Sequence, residues 1–225
     1  MTYLSEDKNK RFLGDGSRNE NGESLEEFLL KYDPSHYQTP SSTVDTAVFA
    51  YDKTKTKLKL LLIKRRNHPS IGEWALPGGF VEFDEDIDVT SVRELEEETG
   101  LTGIRTVQIG TYGAPDRDPR TRIITTLYAA LVPADIINPQ AGDDAKDAVL
   151  FDIDLEEERD SVKLILTSDQ TDSTLEAIYK KIEIPDEFFS YTKYELISSH
   201  GIALDHELLI LDAYMYIKKH LEADS

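Results

Sequence analysis

Residues 79–101 read GFVEFDEDIDVTSVRELEEETGL. Five residues separate Gly79 from Glu85, and seven more lead to the run Arg93-Glu94-Leu95-Glu96-Glu97-Glu98-Thr99-Gly100-Leu101. The segment from Glu85 to Thr99 has helical character and ends at Gly100, a typical residue just past a helix C-terminus. At about 100° per residue, Glu94, Glu97 and Glu98 fall within an arc of roughly 100° on one helix face. Three clustered carboxylates repel one another, and they sit near the helix end where the macrodipole disfavours negative charge. A local sequence this unfavourable asks for a cation, and oxygen-only ligands suit Mg²⁺ or Mn²⁺. Ile87, Ser91, Val92 and Leu95 form the neighbouring stripe that docks the helix on a sheet. A bare E-x-x-E-E is more often a solvated acidic face.

Outward from this helix the chain reads as strands. Thr43–Tyr51 and Leu58–Lys64 are β-rich and joined by a polar turn, a hairpin. Ile71–Gly79, with Trp74, Pro77, Gly78 and Gly79, reads as a loop. Ile104–Tyr112 and Arg122–Val132 read as strands flanking the loop 113–120, and Ala148–Ile153 as another. Ser161–Thr167 and Thr174–Ile184 form a second hairpin, taken as an insertion over about 160–185. His206–Leu221 has the i, i+3, i+4 apolar spacing of a terminal helix. Residues 1–42 read as a polar leader with one short helix, in which Ser24 and Glu27 form a capping box. The main domain is expected over 43–222.

Composition narrows the function classes. The 225 residues carry 44 acidic and 25 basic side chains, a formal net charge of −19. Such a chain repels a nucleic-acid backbone or anionic membrane unless its bases segregate, and the one basic cluster is Lys64-Arg65-Arg66. No cysteine is present, which removes disulfides, thiolate catalysis and cysteine-bound zinc. No apolar run approaches the ~20 residues of a membrane span, and no signal peptide is seen. The expectation is a cytoplasmic protein that binds no nucleic acid and no membrane.

The nine positions Gly79, Glu85, Arg93, Glu94, Leu95, Glu97, Glu98, Gly100 and Leu101 match the Nudix box, G-x5-E-x7-R-E-U-x-E-E-x-G-U, with U aliphatic. The preceding Trp74-Ala75-Leu76-Pro77-Gly78 also looks like that family's approach to the box. The resemblance is strongest over Thr43–Ile153. It implies an α/β fold, the Nudix α/β/α sandwich with a mixed β-sheet, and hydrolysis of the diphosphate in a nucleoside diphosphate derivative. It further implies that Glu94, Glu97 and Glu98, with the Gly78 carbonyl, hold Mg²⁺ or Mn²⁺. Arg93 and Glu85 become a structural ion pair, and Gly79 and Gly100 structural positions of the motif. Catalytic candidates are Glu97, Glu98 and a late acidic residue: Asp144 first, then Asp143, although Gly142-Asp143-Asp144 is also ordinary turn chemistry.

Pro115, fifteen residues beyond Gly100, and the string Gly113-Ala-Pro-Asp-Arg-Asp-Pro-Arg120 resemble the branch containing ADP-ribose pyrophosphatases and Nudix-related transcriptional regulators. Arg117 and Arg120 suit bidentate contacts to phosphate, unless Arg–Asp pairs within the loop satisfy one another. With Arg65 and Pro115 they form the expected substrate-binding set. His206 is expected as a helix-entry residue rather than a ligand. The regulators add a C-terminal winged helix, for which a chain stopping at Ser225 leaves no room, so an enzyme acting on ADP-ribose is the primary expectation. The alternatives are a ligand-sensing regulator, or a hydrolase of dinucleoside polyphosphates or nucleotide sugars. The same branch implies a homodimer, with Tyr32, His36 and Tyr37 available to stack on adenine or pack on a partner.

Overall fold

The computed structural model describes residues 3–52, 57–137 and 148–223. The chain divides into two compact units, residues 1–39 and 40–225. The first holds α1 (Glu6–Asn9) and α2 (Leu25–Lys31). The capping box forms: Ser24 Oγ accepts from the Glu27 amide at 3.2 Å, and Glu27 Oε2 accepts from the Ser24 amide at 2.8 Å. Tyr32, His36 and Tyr37 are exposed, and the Tyr32 ring centroid lies 5.9 Å from that of Phe28 within the same unit.

The second unit runs β1 (Ser41–Tyr51), β2 (Leu58–Lys64), β3 (Trp74–Ala75), β4 (Gly78–Phe80), α3 (Ile87–Thr99), β5 (Val107–Tyr112), β6 (Ile123–Pro133), β7 (Ala148–Glu157), β8 (Ser161–Thr167), β9 (Thr174–Ile184), β10 (Tyr191–His200) and α4 (His206–Ala223). One mixed sheet has the order β10-β9-β8-β7-β2-β1-β6-β5, with β3 on β2 and β4 on β1. Among the strands of the described residues, β1 and β6 are the pair that run parallel. Strand periodicity sorts the core into two faces. Ala47, Phe49, Leu60 and Leu62 meet Leu209, Ile210, Ala213 and Ile217 of α4. Val48, Ala50 and Leu61 meet Leu95 of α3 and Leu101 on the other side. The sheet lies between the two helices, so the α/β sandwich expected from the sequence is present. No helix among the described residues is long and apolar enough to cross a membrane.

Two regions differ from the sequence expectation. The hairpin of β8 and β9, expected as an insertion, continues the sheet through β7. Its alternate residues Val162, Leu164, Leu166, Leu175, Ala177 and Tyr179 are buried in the same core cluster as α4. The period-two apolar pattern of both strands requires such a covered face. The sheet then gains β10, which lacks that pattern because most of its residues are exposed. Main-chain pairing with β9 and an edge-on contact of Tyr194 with Tyr179, centroids 6.3 Å apart, hold it.

The loop before the box is placed by a fork in the sheet. β1 and β2 pair over Val48–Tyr51 and Leu58–Leu61. Beyond that, Thr43–Asp45 pair with β4, while Ile63 and Lys64 pair with β3. The segment Trp74–Phe80 wedges into the fork, and Pro77 O accepts from the Thr46 amide at 2.8 Å. What reads as a loop is therefore two short strands that carry Gly78 and Gly79 to the C-terminal half of α3.

Candidate functional site

Helix α3 has defined ends. Asp86 caps its start, accepting from the Asp88 amide at 3.0 Å, and Gly100 closes it in the left-handed region at φ 73°. Gly79 meets the helix face directly: a Cβ there would fall 2.4 Å from the Glu94 carboxyl carbon and both its oxygens. A side chain there would push the Glu94 carboxylate aside, while at Gly78 a Cβ would fall 2.1 Å from the Val44 carbonyl oxygen, main chain that cannot give way.

Arg93 organises the acidic face. Its Nε donates to Glu85 Oε1 and Oε2 at 3.1 and 3.2 Å, and Nη2 to Glu85 Oε2 at 3.0 Å and to the Phe80 carbonyl at 3.2 Å. Its Nη1 donates to Glu94 Oε1 at 2.7 Å and Glu97 Oε2 at 3.2 Å. Thr90 Oγ1 adds a bond to Glu85 Oε2 at 2.7 Å. These bonds, Arg93's first, hold the Glu85 carboxyl below the usual carboxylate range.

Glu98 faces the other way. Its Oε2 accepts from the Gly78 amide at 2.8 Å. Burial pushes its carboxyl up to about 8; the Gly78 amide opposes the shift, while the charges of Glu94 and Asp45 add to it. Burial likewise raises Glu94, against the pull of Arg93. Glu97 is exposed. The three carboxylates line one cleft of about 420 Å³ together with Lys64, Arg65 and Arg66. Among the described residues, however, no three acidic or imidazole side chains converge closely enough to enclose an ion. Helical spacing put the three glutamates on one face; the Arg93 fork decides where two of the carboxylates point.

A second hollow of about 180 Å³ adjoins the first through Ile63, Arg65 and Glu98, and reaches Gly78, Gly79, Arg117, Arg120 and His206. Arg65 stands where the two meet, its Nε donating to the Pro69 carbonyl at 2.8 Å. Arg117 makes a bidentate pair with Asp205, 2.8 Å from Nε and 2.7 Å from Nη2, and only 5% of its side chain is exposed. Arg120 pairs with Asp118 at 3.0 and 2.8 Å, but 42% of its side chain remains exposed, over the Phe80 ring. The loop's arginines are thus both held by aspartates, and Arg120 alone offers substantial surface. Pro115 is exposed in the turn and does not line the hollow. Asp143 and Asp144 lie outside the described residues.

Three buried groups beside the site were not singled out from sequence as a unit. Asp45, on β1, accepts from Thr125 Oγ1 at 2.6 Å, and His206 Nε2 stands 3.8 Å from its Oδ1. His206 Nδ1 accepts from the Leu76 amide at 3.0 Å. Because Nδ1 accepts, the ring proton sits on Nε2, facing Asp45, and burial lowers the His206 pKa. His206 is the helix-entry residue expected, and it also ties α4 to the fork that holds the glycines. A charged residue inside the apolar run TVDTAVFAY was the available signal for Asp45.

A mixed sheet between two helices, with a glycine–glutamate loop–helix motif at the fork, defines the class of α/β domain. The chain belongs to the NUDIX domain family, which matches residues 42–165. It is 47% identical over 97 residues to an ADP-ribose pyrophosphatase of Methanocaldococcus jannaschii, covering 42% of this chain and 55% of that protein. It is 40% identical over 114 residues to the ADPR responsive transcriptional repressor NtrR of Acinetobacter baylyi, covering 50% and 45%. The chain thus spans about half the length of the curated relatives it matches. The crystal structure of a MutT/nudix family protein from Enterococcus faecalis superposes with a TM-score of 0.64 at 30% identity, covering 97% of this chain and 76% of that one.

Proposed function

We propose that the protein hydrolyses the diphosphate of ADP-ribose, or a close relative, to AMP and ribose 5-phosphate. The observation that carries this reading is the contact of Gly78 and Gly79 with Glu98 and Glu94, in two adjoining hollows that Arg65 and Arg120 also line. Carboxylates and arginines in adjoining linings suit a substrate whose negative charge is concentrated in a diphosphate.

The donor set fits a hard divalent cation. It consists of oxygens, and partial burial raises the Glu98 and Glu94 carboxyls, so a positive charge beside them would favour their ionised forms. Glu94, Glu97, Glu98 and the Gly78 carbonyl would hold Mg²⁺, with Mn²⁺ an alternative. Bound there, the ion would neutralise charge on the phosphoryl oxygens and acidify water. Arg65 and Arg120 bind and orient the diphosphate; Arg117, spent on Asp205, positions the loop rather than touching substrate. Water attacks one phosphorus, the P–O bond of the bridging oxygen breaks, and a carboxylate accepts the water proton. Glu98, Glu97 and Asp144 are the candidates for that proton transfer, with Asp144→Asn as the variant that isolates the late loop.

The test is a product screen by chromatography over ADP-ribose, diadenosine polyphosphates and nucleotide sugars, with Mg²⁺, Mn²⁺ and EDTA. ADP-ribose should show the highest kcat/KM. A preference for diadenosine polyphosphates would overturn the substrate assignment. The likeness to the repressor favours one second reading, a sensor that binds ADP-ribose through the same cleft. Binding without turnover in the same samples would select it.

A further inference from the structure

The hydrolytic step leaves one buried pair beside the carboxylates without a task. Asp45 and His206 are 7% and 4% exposed, and both line the smaller hollow. Each has one side already committed. Thr125 Oγ1 donates to Asp45 Oδ2 at 2.6 Å, and the Leu76 amide donates to His206 Nδ1 at 3.0 Å. The two remaining atoms, Asp45 Oδ1 and His206 Nε2, face each other at 3.8 Å. That gap is too long for a hydrogen bond, which between nitrogen and oxygen spans about 2.7–3.2 Å. Among the described residues neither atom has another hydrogen-bond partner. A buried N–H donor beside a buried carboxylate acceptor is matched by one oxygen that accepts from the first and donates to the second, which is a hydroxyl.

The surroundings suit a sugar. Ile63, Leu76 and Ile123 give apolar surface for the C–H face of a ring, and Arg65 and Arg120 in the same lining suit the phosphate that the sugar carries. Asp45 Oδ1 also lies against Gly78, 2.9 Å from where a Cβ would stand, and the Gly78 amide donates to Glu98 at 2.8 Å. A hydroxyl held here therefore belongs to a group next to the diphosphate. Size selects which group. At about 180 Å³ the hollow is smaller than the roughly 300–1,000 Å³ that encloses a drug-sized ligand, whereas the adjoining cleft has about 420 Å³. Of the two arms of ADP-ribose, the ribose without a base fits the smaller space.

We infer that Asp45 and His206 form a hydroxyl-reading pair for the terminal ribose of the substrate, one hydroxyl bridging Nε2 and Oδ1. The inference rests on the proposed use of this site for ADP-ribose or a close relative.

Calorimetric titration tests it with the α,β-methylene analogues of ADP-ribose and ADP in Mg²⁺. Their P–C–P bridge is not split, and only the first carries the terminal ribose. His206→Asn keeps an oxygen near the Nδ1 position for the Leu76 amide and removes the Nε2–H donor. Asp45→Asn keeps an oxygen for Thr125 and puts an amide donor where the hydroxyl needs an acceptor. Each should weaken the ADP-ribose analogue about tenfold or more and change the ADP analogue less than about twofold. Retained binding of the ADP analogue shows that the variant is folded at the site. A third arm needs no variant: the wild type should bind an ADP-ribose analogue whose terminal ribose lacks its vicinal hydroxyls about tenfold more weakly than the parent analogue. Equal loss of both analogues in the two variants, loss of neither, or indifference of the wild type to the missing hydroxyls overturns the inference; the pair would then hold a water or only brace α4. A wild type that binds neither analogue overturns the diphosphate reading as well.

Discussion

Arg117 separates a loop that reads substrate from a loop that is merely braced. Its fork is bound by Asp205 through two charge-assisted hydrogen bonds of 2.8 and 2.7 Å, joining the β5–β6 connection to the residue just before α4. Removing one partner from a buried hydrogen-bonded pair costs about 3–5 kcal/mol, because the other charge stays behind unpaired. Asp205 keeps 23% of its side chain exposed, so the lower end applies, about 3 kcal/mol. For a unit of this size each kcal/mol moves Tm by roughly 2–4 °C. Arg117→Ala should therefore lower Tm by about 6–12 °C. In a double-mutant cycle of Arg117→Ala and Asp205→Ala by thermal and urea unfolding, the two losses should be strongly non-additive. Arg120 lines the hollow with 42% of its side chain exposed, and its pair with the buried Asp118 means that Arg120→Ala should lower Tm as well as raise KM for ADP-ribose about tenfold, whereas Arg117→Ala should leave KM near wild type. An Arg117→Ala protein with unchanged Tm and a raised KM would show that Arg117, not Asp205, was waiting for the substrate.

Glu98→Gln should lower kcat by about a hundredfold or more with the fold intact, and turnover should stop in EDTA; full activity in excess chelator would remove the metal from the mechanism. Arg93→Ala should lower both rate and Tm, since the same guanidinium holds Glu85, Glu94, Glu97 and the Phe80 carbonyl; a rate loss at constant Tm would exclude the brace. Glu207 offers a pH test. Burial pushes its carboxyl up to about 7, and its Oε2 is buried without a hydrogen-bond partner. The folded state keeps that proton after the unfolded state has released it, so this group's stabilisation is present at acid pH and is lost as pH rises from about 4.5 through 7. Glu207→Gln should have a higher Tm than wild type at pH 8 and lose that advantage near pH 4; parallel pH profiles would refute the buried ionisation.

The local parts of this protein were open to reading from the chain. Helix α3 begins at Asp86 and stops at Gly100 through contacts spanning two to four residues, and Ser24 with Glu27 closes the leader's capping box within three. Apolar alternation located β8 and β9, and the 3.6-residue period located α4, because each pattern is repeated by neighbours along the same element. The box spacing identified the site helix, and with it the family. Tertiary structure decided the rest. The Asp45–Thr125, Arg117–Asp205 and Leu76–His206 contacts join residues 80, 88 and 130 positions apart. No local pattern encodes those pairings; they follow from the fork between β1 and β2 and from α4 crossing the sheet. The direction of the Glu94 and Glu97 carboxylates, the burial of Glu98 and the attachment of β10 belong to the same group. Sequence spacing specifies which face of an element a residue occupies, but partner, exposure and local dielectric exist only once other elements close around it.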